Sequence, residues 1–512
     1  MAKQVHRAIY IALLCGLAVS MTTSVFITNL LWVLLLANWV TEWNWKEKFA
    51  GFRHNYLLHA FLIMAGVHLL WLLGTQNLAY GFFDIQKKLP LFFIPLVALT
   101  TPPLSRRELS LVGISYVGTV LVVSVIGFIR YLTIPDLPYR NIVPHISHIR
   151  FGLNICLTLF IIAYALICRP HRPWLHLVGT VAMLWLTAFL FLLHAYTSFI
   201  IIVVTLVILL IAFRHRLSRR LRITATLSVT AILAVVASFA GVYIHDYYHL
   251  QPLSTVNPLP QLTENGNPYL HLHDGLTENG NYVHLYVCEK EMRQEWGKLS
   301  NHPFDSLTST GYTVYPTLLR YLGGMGLTKD SLGMTRLQPN DIAAIEKGIA
   351  NPVYLRPGPR KLIYVLLYEY ENYRCFRSVN NFSVLQRLEL WRNAWQVFTQ
   401  NPLLGVGTGD VVNQCHAQMQ QNHSPLADTD LHTHSQYLNF LLAFGLIGFL
   451  LIVLPFIRAI HLHRLCYSPL FTAFLCILLI SFISEDTLET LAGIMFAVIG
   501  TILPPKASVT TQ

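Results

Sequence analysis

Residues 401–449 bring together side-chain types that can do chemistry. A glycine turn, Gly405-Val406-Gly407-Thr408-Gly409, precedes a polar passage ending Asp428-Thr429-Asp430-Leu431-His432-Thr433-His434, and a strongly apolar run follows. Thr433 suits a helix N-cap, and Gln436 stands at the capping-box position. That places His434 at the first helical position, where the positive helix end favours the neutral ring. A neutral imidazole there can accept a proton near pH 7; the other reading is a buried, hydrogen-bonded structural histidine. Arg150, behind His145 and His148, lies just inside an apolar run. Ionisable groups in such runs are costly and usually functional, although an arginine this near the end can also snorkel. Arg387 borders a stripe of Leu388, Trp391, Trp395 and Phe398; it can grip a phosphate bidentately or sit at an interface. Arg320 is open between an ion pair and a substrate contact.

Other clusters carry less. Asp428, Asp430, His432 and His434 would suit a divalent ion, but aspartates also form turns in polar loops; no metal and no cofactor is expected. His271, His273 and His284 fit a solvated strand face. Glu485 and Asp486 suit a helix N-terminal cap, with a second acidic site as the other reading. The glycine turn permits close backbone approach or positive φ, and lacks the Gly-Lys-Ser/Thr of a phosphate-binding loop.

The elements that must position these residues are set by composition. Of 512 residues, 54% are hydrophobic and 12% charged, about half the charge of a soluble domain. The chain reads as an all-α integral membrane protein with about twelve spans. These fall at 8–40 (two short spans divided near Ser20–Thr23), 55–74, 88–103, 109–131, 148–168, 174–194, 196–213, 223–244, 434–457, 469–484 and 487–503. No cleavable signal peptide is evident, because the first apolar run continues into a second. The net charge is +11, but its placement matters more. Alternate loops carry Lys46/Lys48/Arg53, Arg106/Arg107, Arg169/Arg172, Arg214–Arg222 and Arg458/Arg464, with Lys87, Lys88 and Arg140 as exceptions. Both termini are therefore expected in the cytoplasm.

Three domains are expected: an N-terminal membrane domain (1–244, about nine spans), an extracytoplasmic cap (245–430) and a C-terminal membrane domain (431–512, three spans). The cap contains a repeat, Leu-Thr-Glu-Asn-Gly-Asn at 262–267 and 276–281. Each Asn-Gly offers a tight turn, with short alternating strands around it. Helices are expected near 284–299, 339–350, 361–377 and 383–400, the last opened by Ser383 with Gln386 as a capping box. Its Trp391/Trp395 stripe suits a helix at headgroup level. Of eight cysteines, Cys288, Cys375 and Cys415 lie in this region, so at most one disulfide can form there.

The run RLELWRNAW…NPLLGVGTG…LHTHSQYLNFLLAFGLIGF resembles the signature of the O-antigen ligase/polymerase superfamily, and TLLRYLGGMGLTKDSLGM…DIAAIEKGIAN looks like the outer domain of a Bacteroidetes branch. The resemblance implies a GT-C-like fold with one large, mostly helical extracytoplasmic domain between spans 9 and 10. It implies an undecaprenyl-pyrophosphate-linked glycan donor, a lipid A-core or other glycan acceptor, and no nucleic acid. The setting would be a bacterial inner membrane with a periplasmic active face. The family histidine matches His434, and its arginines match Arg150 and Arg387 by position. Ser435 replaces a common Asn, and Ala195–Ser198 lacks a common Ser-Arg. The expected activity is metal-independent, inverting glycan transfer of the ligase type. The polymerase and the protein O-oligosaccharyltransferase are alternatives, and a polysaccharide transporter is the non-enzyme reading.

Overall fold

Polar residues placed just ahead of apolar runs start many of the helices. Ser24, Asn55, Asn77, Ser105 and Ser468 each accept a backbone N–H from the first turn that follows, which satisfies donors the helix cannot. The computed structural model describes residues 2–53, 55–135, 137–168, 172–355, 358–376, 383–429 and 431–502. Asp430 and Arg169 lie outside the described residues, as does the side chain of Ser383.

The chain is mostly helical: α1 (Ala2–Ser20), α2 (Val25–Thr41), α3 (Trp45–Arg53), α4 (Tyr56–Leu70), α5 (Leu78–Thr100), α6 (Arg106–Thr133), α7 (His148–Cys168), α8 (Pro173–Leu192), α9 (Tyr196–Phe213), α10 (Arg219–Tyr248), α11 (Pro252–Thr255), α12 (Glu289–Leu299), α13 (Val314–Gly324), α14 (Ser331–Met334), α15 (Pro339–Glu346), α16 (Pro359–Phe376), α17 (Ser383–Gln400), α18 (Val411–Gln421), α19 (Gln436–Leu462), α20 (Pro469–Ser484) and α21 (Leu491–Ile502). Among the described residues, seven helices are long and apolar enough to cross a membrane, and α2, α20 and α21 are shorter apolar helices. The other two expected spans are also helical. They are α1, which carries Lys3 and Arg7, and α5, which carries Asp84, Lys87 and Lys88. The expected division near Ser20–Thr23 is present, since α1 ends at Ser20 and α2 begins at Val25.

Two compact units result, one of residues 1–226 and 390–512 and one of residues 227–389; the cuts fall within α10 and α17. In the first unit, α1, α2, α4–α9 and α19–α21 share one apolar core that includes Leu17, Phe61, Ile94, Phe151, Phe444 and Phe474. One end of this bundle holds Arg7 on Glu108 (2.7 Å) and Arg216 on the Tyr467 carbonyl (2.9 Å). At the opposite end α5, α7, α19 and α21 begin and α20 finishes.

The second unit packs α12, α13, α15 and α16 around Trp296, Leu318, Tyr321, Leu322 and Met334. Its repeat folds differently in its two copies. At the second, Asn279 (φ 51°) and Gly280 (φ 77°) both take positive φ and join Thr277–Glu278 to Asn281–Tyr282 as a tight hairpin, the type I′ pattern. At the first, only Gly266 is positive, and Glu291 accepts from Thr263 and Asn267. The expected strands beside them shrink to isolated bridges such as Leu270–Val287.

Candidate functional site

The glycine turn is the joint on which the site is built. Helix α19 is broken at Gly445 (φ 59°, ψ −169°), which frees backbone groups on both sides of the break. The turn takes them: Val406 and Gly407 donate to Leu442 (2.8 Å) and Ala443 (3.0 Å), while Leu446 and Ile447 donate to Pro402 (2.8 Å) and Leu403 (3.1 Å). Gly405 has φ 69°, and a Cβ there would run into the Leu442 carbonyl; glycine alone permits that approach. Past the turn, Thr408 donates to the His68 carbonyl (2.9 Å). The Asp410 carboxylate accepts from Gln76 (2.6 Å) and Asn77 (2.8 Å), and Asn77 caps α5. The turn thus fixes both the mouth of α19 and the start of α5.

Between them lies a cavity of about 230 Å³ whose wall includes Lys87, Asp84, His432, Thr433, Asp486 and Glu489. Lys88 also lines it and is buried, held by Asp84 (2.7 Å) and Glu489 (3.0 Å). Lys87 is more open, 3.9 Å from Asp84, with its ammonium over the Tyr80 and Phe83 rings. Arg150 reaches the same loop, with Nη2 3.3 Å from Asp486. Its buried Nε has no hydrogen-bond partner.

His434 is not the first residue of α19. The helix begins at Gln436 with Ser435 as N-cap, and His434 precedes it at φ 47°. The local cap loses to tertiary bonds. Thr433 Oγ1 donates to Asn439 Oδ1 (2.7 Å), and Ser435 Oγ donates to the Phe482 carbonyl (3.2 Å). Gln436 N–H goes to the Glu485 carbonyl (3.2 Å), while its side chain accepts from Leu488 (2.8 Å) and donates to Glu489 (3.3 Å). A left-handed conformation costs a histidine about 1–2 kcal/mol, and such strain gathers at functional sites.

Asp486 also departs from expectation: its side chain makes no cap hydrogen bond and serves Arg150 instead. Trp391 donates to the Thr433 carbonyl (2.8 Å) while Trp395 faces outward. The buried face of α17 is Leu390, Ala394 and Val397, one position off the aromatic stripe.

The structure thus fastens Arg150 and the residues after His434 to one loop, Glu485–Glu489. Arg387 and Arg320 belong to the second unit. Arg387 stands near Glu369, whose carboxylate accepts from Val384 and Leu385 at the start of α17. Arg320 is paired with Glu278, its guanidinium 3.9 Å from the Tyr368 ring centre. Among the described residues no group of three or more His, Cys, Asp or Glu is placed to hold a metal. His284 pairs with Asp274, and His271 with the Pro260 carbonyl. All eight cysteines are free thiols. The buried Asp84–Lys88–Glu489 cluster was missed in the sequence; the signal was three charges on one turn of an otherwise apolar helix.

A many-helix membrane bundle with a charged cavity at one end defines a multi-pass membrane protein with a polar site at the edge of its apolar core. Residues 342–453 match the family profile described as O-Antigen ligase. The match supports membership of the O-antigen ligase superfamily and spans Arg387, the glycine turn and His434. No curated protein matches the chain.

Proposed function

We propose that the chain is a ligase-type glycosyltransferase of a bacterial inner membrane. It moves a glycan from undecaprenyl pyrophosphate to a lipid A-core acceptor at the periplasmic face. The observation that carries this reading is that Arg150 and the start of α19, two residues past His434, are fastened to the same loop beside a charged cavity. The family match over residues 342–453 supports the reaction class.

In this reading His434 takes the proton of the acceptor hydroxyl as its oxygen attacks the anomeric carbon. The bond from that carbon to the phosphate oxygen breaks, and the electron pair leaves with the diphosphate. Arg150 and Arg387 meet the growing charge, which is where positioned cations lower a barrier most. Lys87, open to the cavity, adds a third cation. Attack opposite the leaving group inverts the anomeric centre. Pyrophosphate is already a good leaving group, so the reaction needs no metal and no cofactor.

The polymerase and the protein O-oligosaccharyltransferase share this chemistry and differ in acceptor. A transporter would use freed helix-end groups for its cargo, whereas those at Gly445 are taken by residues 402–407. The test is purified protein supplied with a lipid-pyrophosphate glycan and three acceptors. Transfer to lipid A-core supports the ligase. Chain growth on a second lipid-linked glycan, or a glycosylated protein, replaces it with the corresponding alternative. No transfer to any acceptor overturns the enzyme reading.

A further inference from the structure

The family match covers residues 342–453; the loop between α20 and α21, and Lys88 beneath it, lie outside that range. That loop is where the bonds meet. Lys88 Nζ lies 2.7 Å from Asp84 on its own helix and 3.0 Å from Glu489 on the loop. Glu489 accepts from Gln436 Nε2 (3.3 Å), whose Oε1 accepts from Leu488 N–H (2.8 Å). Gln436 N–H bonds the Glu485 carbonyl (3.2 Å), and Asp486 holds Arg150 (3.3 Å). One short loop therefore ties α5, α7 and the first turn of α19 together.

Stability alone does not account for this arrangement. Side chains of Lys88 and Asp84 are each about 5% exposed, and a well-packed apolar replacement for buried ions is often as stable or more so. Buried ions can instead select a single geometry, because a lone partner left behind is costly. Here the Lys88 pairs join the loop to α5 at one point. The start of α5 is itself held by Asp410 just past the glycine turn.

We infer that Lys88 and Glu489 are positioning residues for transfer: anchored on α5, they hold the Glu485–Glu489 loop so that His434 and Arg150 stand in register over one substrate. The inference rests on the proposed transferase reading. Neither residue needs to touch the glycan or the diphosphate. Each acts through Gln436 and Asp486.

The test uses the full chain in lipid nanodiscs with Glu489→Gln, Lys88→Met and Lys88→Arg. Hydrogen–deuterium exchange is read at residues 431–439, with 314–346 as the report that the chain remains folded. Donor kinetics are measured in parallel. Glu489→Gln and Lys88→Met are expected to speed exchange at 431–439 by about tenfold or more and leave 314–346 unchanged. They lower kcat by about 10–100-fold, the scale of a displacement near 1 Å, with donor KM within about twofold; Lys88→Arg restores most of both. Glu489→Gln, nearly isosteric, carries the test should Lys88→Met not fold. Unchanged exchange at 431–439 overturns the inference. So does a rise in KM that matches the loss in kcat, which would mean the lysine handles substrate itself. If wild-type protein transfers nothing, the transferase reading fails, and the exchange result still decides whether Lys88 and Glu489 hold this segment.

Discussion

His434 and Arg150 bear most of the proposed chemistry, and each pays a visible cost in conformation or burial. His434 sits at φ 47°, and the Arg150 Nε is buried without a partner. His434→Ala and Arg150→Ala are each expected to lower transfer by at least about 100-fold, the scale of losing a general base or a charge-stabilising donor. Membrane insertion and solubilised yield should stay at wild-type level, measured beside a transfer assay. Lys329, in the second unit, gives a separate test of pH. It is almost fully buried, with Nζ on the Tyr282 carbonyl at 3.1 Å. Burial pulls its pKa from 10.5 down to about 8. Between those values the unfolded chain holds the extra proton, so stability rises with pH, by up to about 3 kcal/mol. Above pH 10 the sign reverses, because Tyr354, pushed up to about 12 mainly by burial, stays protonated when folded and ionises when unfolded. Pulse proteolysis of this unit in urea should show wild type gaining stability relative to Lys329→Met from pH 8 to 10, and both losing stability beyond it.

The elements were far more legible in the sequence than their joints. The helix expected at 383–400 runs from Ser383 to Gln400, and the break near Ser20–Thr23 is present, because apolar runs and polar caps are local signals. The start of α19 was not legible. Thr433-x-x-Gln436 satisfies the capping pattern, yet both side chains are claimed by more distant partners, Gln436 by residues 488–489. No local pattern reports a competitor some fifty residues away. Lys87 and Lys88 read as exceptions to a charge rule until the fold set Glu489 beside Lys88. The glycine turn fell between these cases: close approach was expected, and its target, the break at Gly445, was not. Gly405→Ala and Gly445→Ala should each cost at least about 2 kcal/mol, from left-handed strain plus a backbone clash. A thermal shift of the solubilised protein measures this, and a loss within the error of Gly113→Ala, where a Cβ meets nothing, would count against the joint.

At the scale of the whole chain, the expected topology turns on which loops carry Lys and Arg. Cysteine labelling in intact cells should modify a probe at Glu264 from outside and leave one at Arg216 unreactive until the membrane is opened. The reverse pattern would invert the molecule and remove the periplasmic site. EDTA is expected to leave transfer intact; a loss restored by Mn²⁺ or Mg²⁺ would return Asp428 and Asp430 to consideration as ligands.

The interruption of α19 also bears on how such a chain is made. The carbonyls of Leu442 and Ala443 have their donors in Val406 and Gly407, and an unanswered carbonyl in hydrocarbon costs several kcal/mol. The half-helix ahead of Gly445 is therefore a poor passenger in lipid by itself. It is expected to settle only once residues 402–407, synthesised before it, supply those donors. Insertion of the last three helices is therefore expected to be coupled to folding of the segment that precedes them.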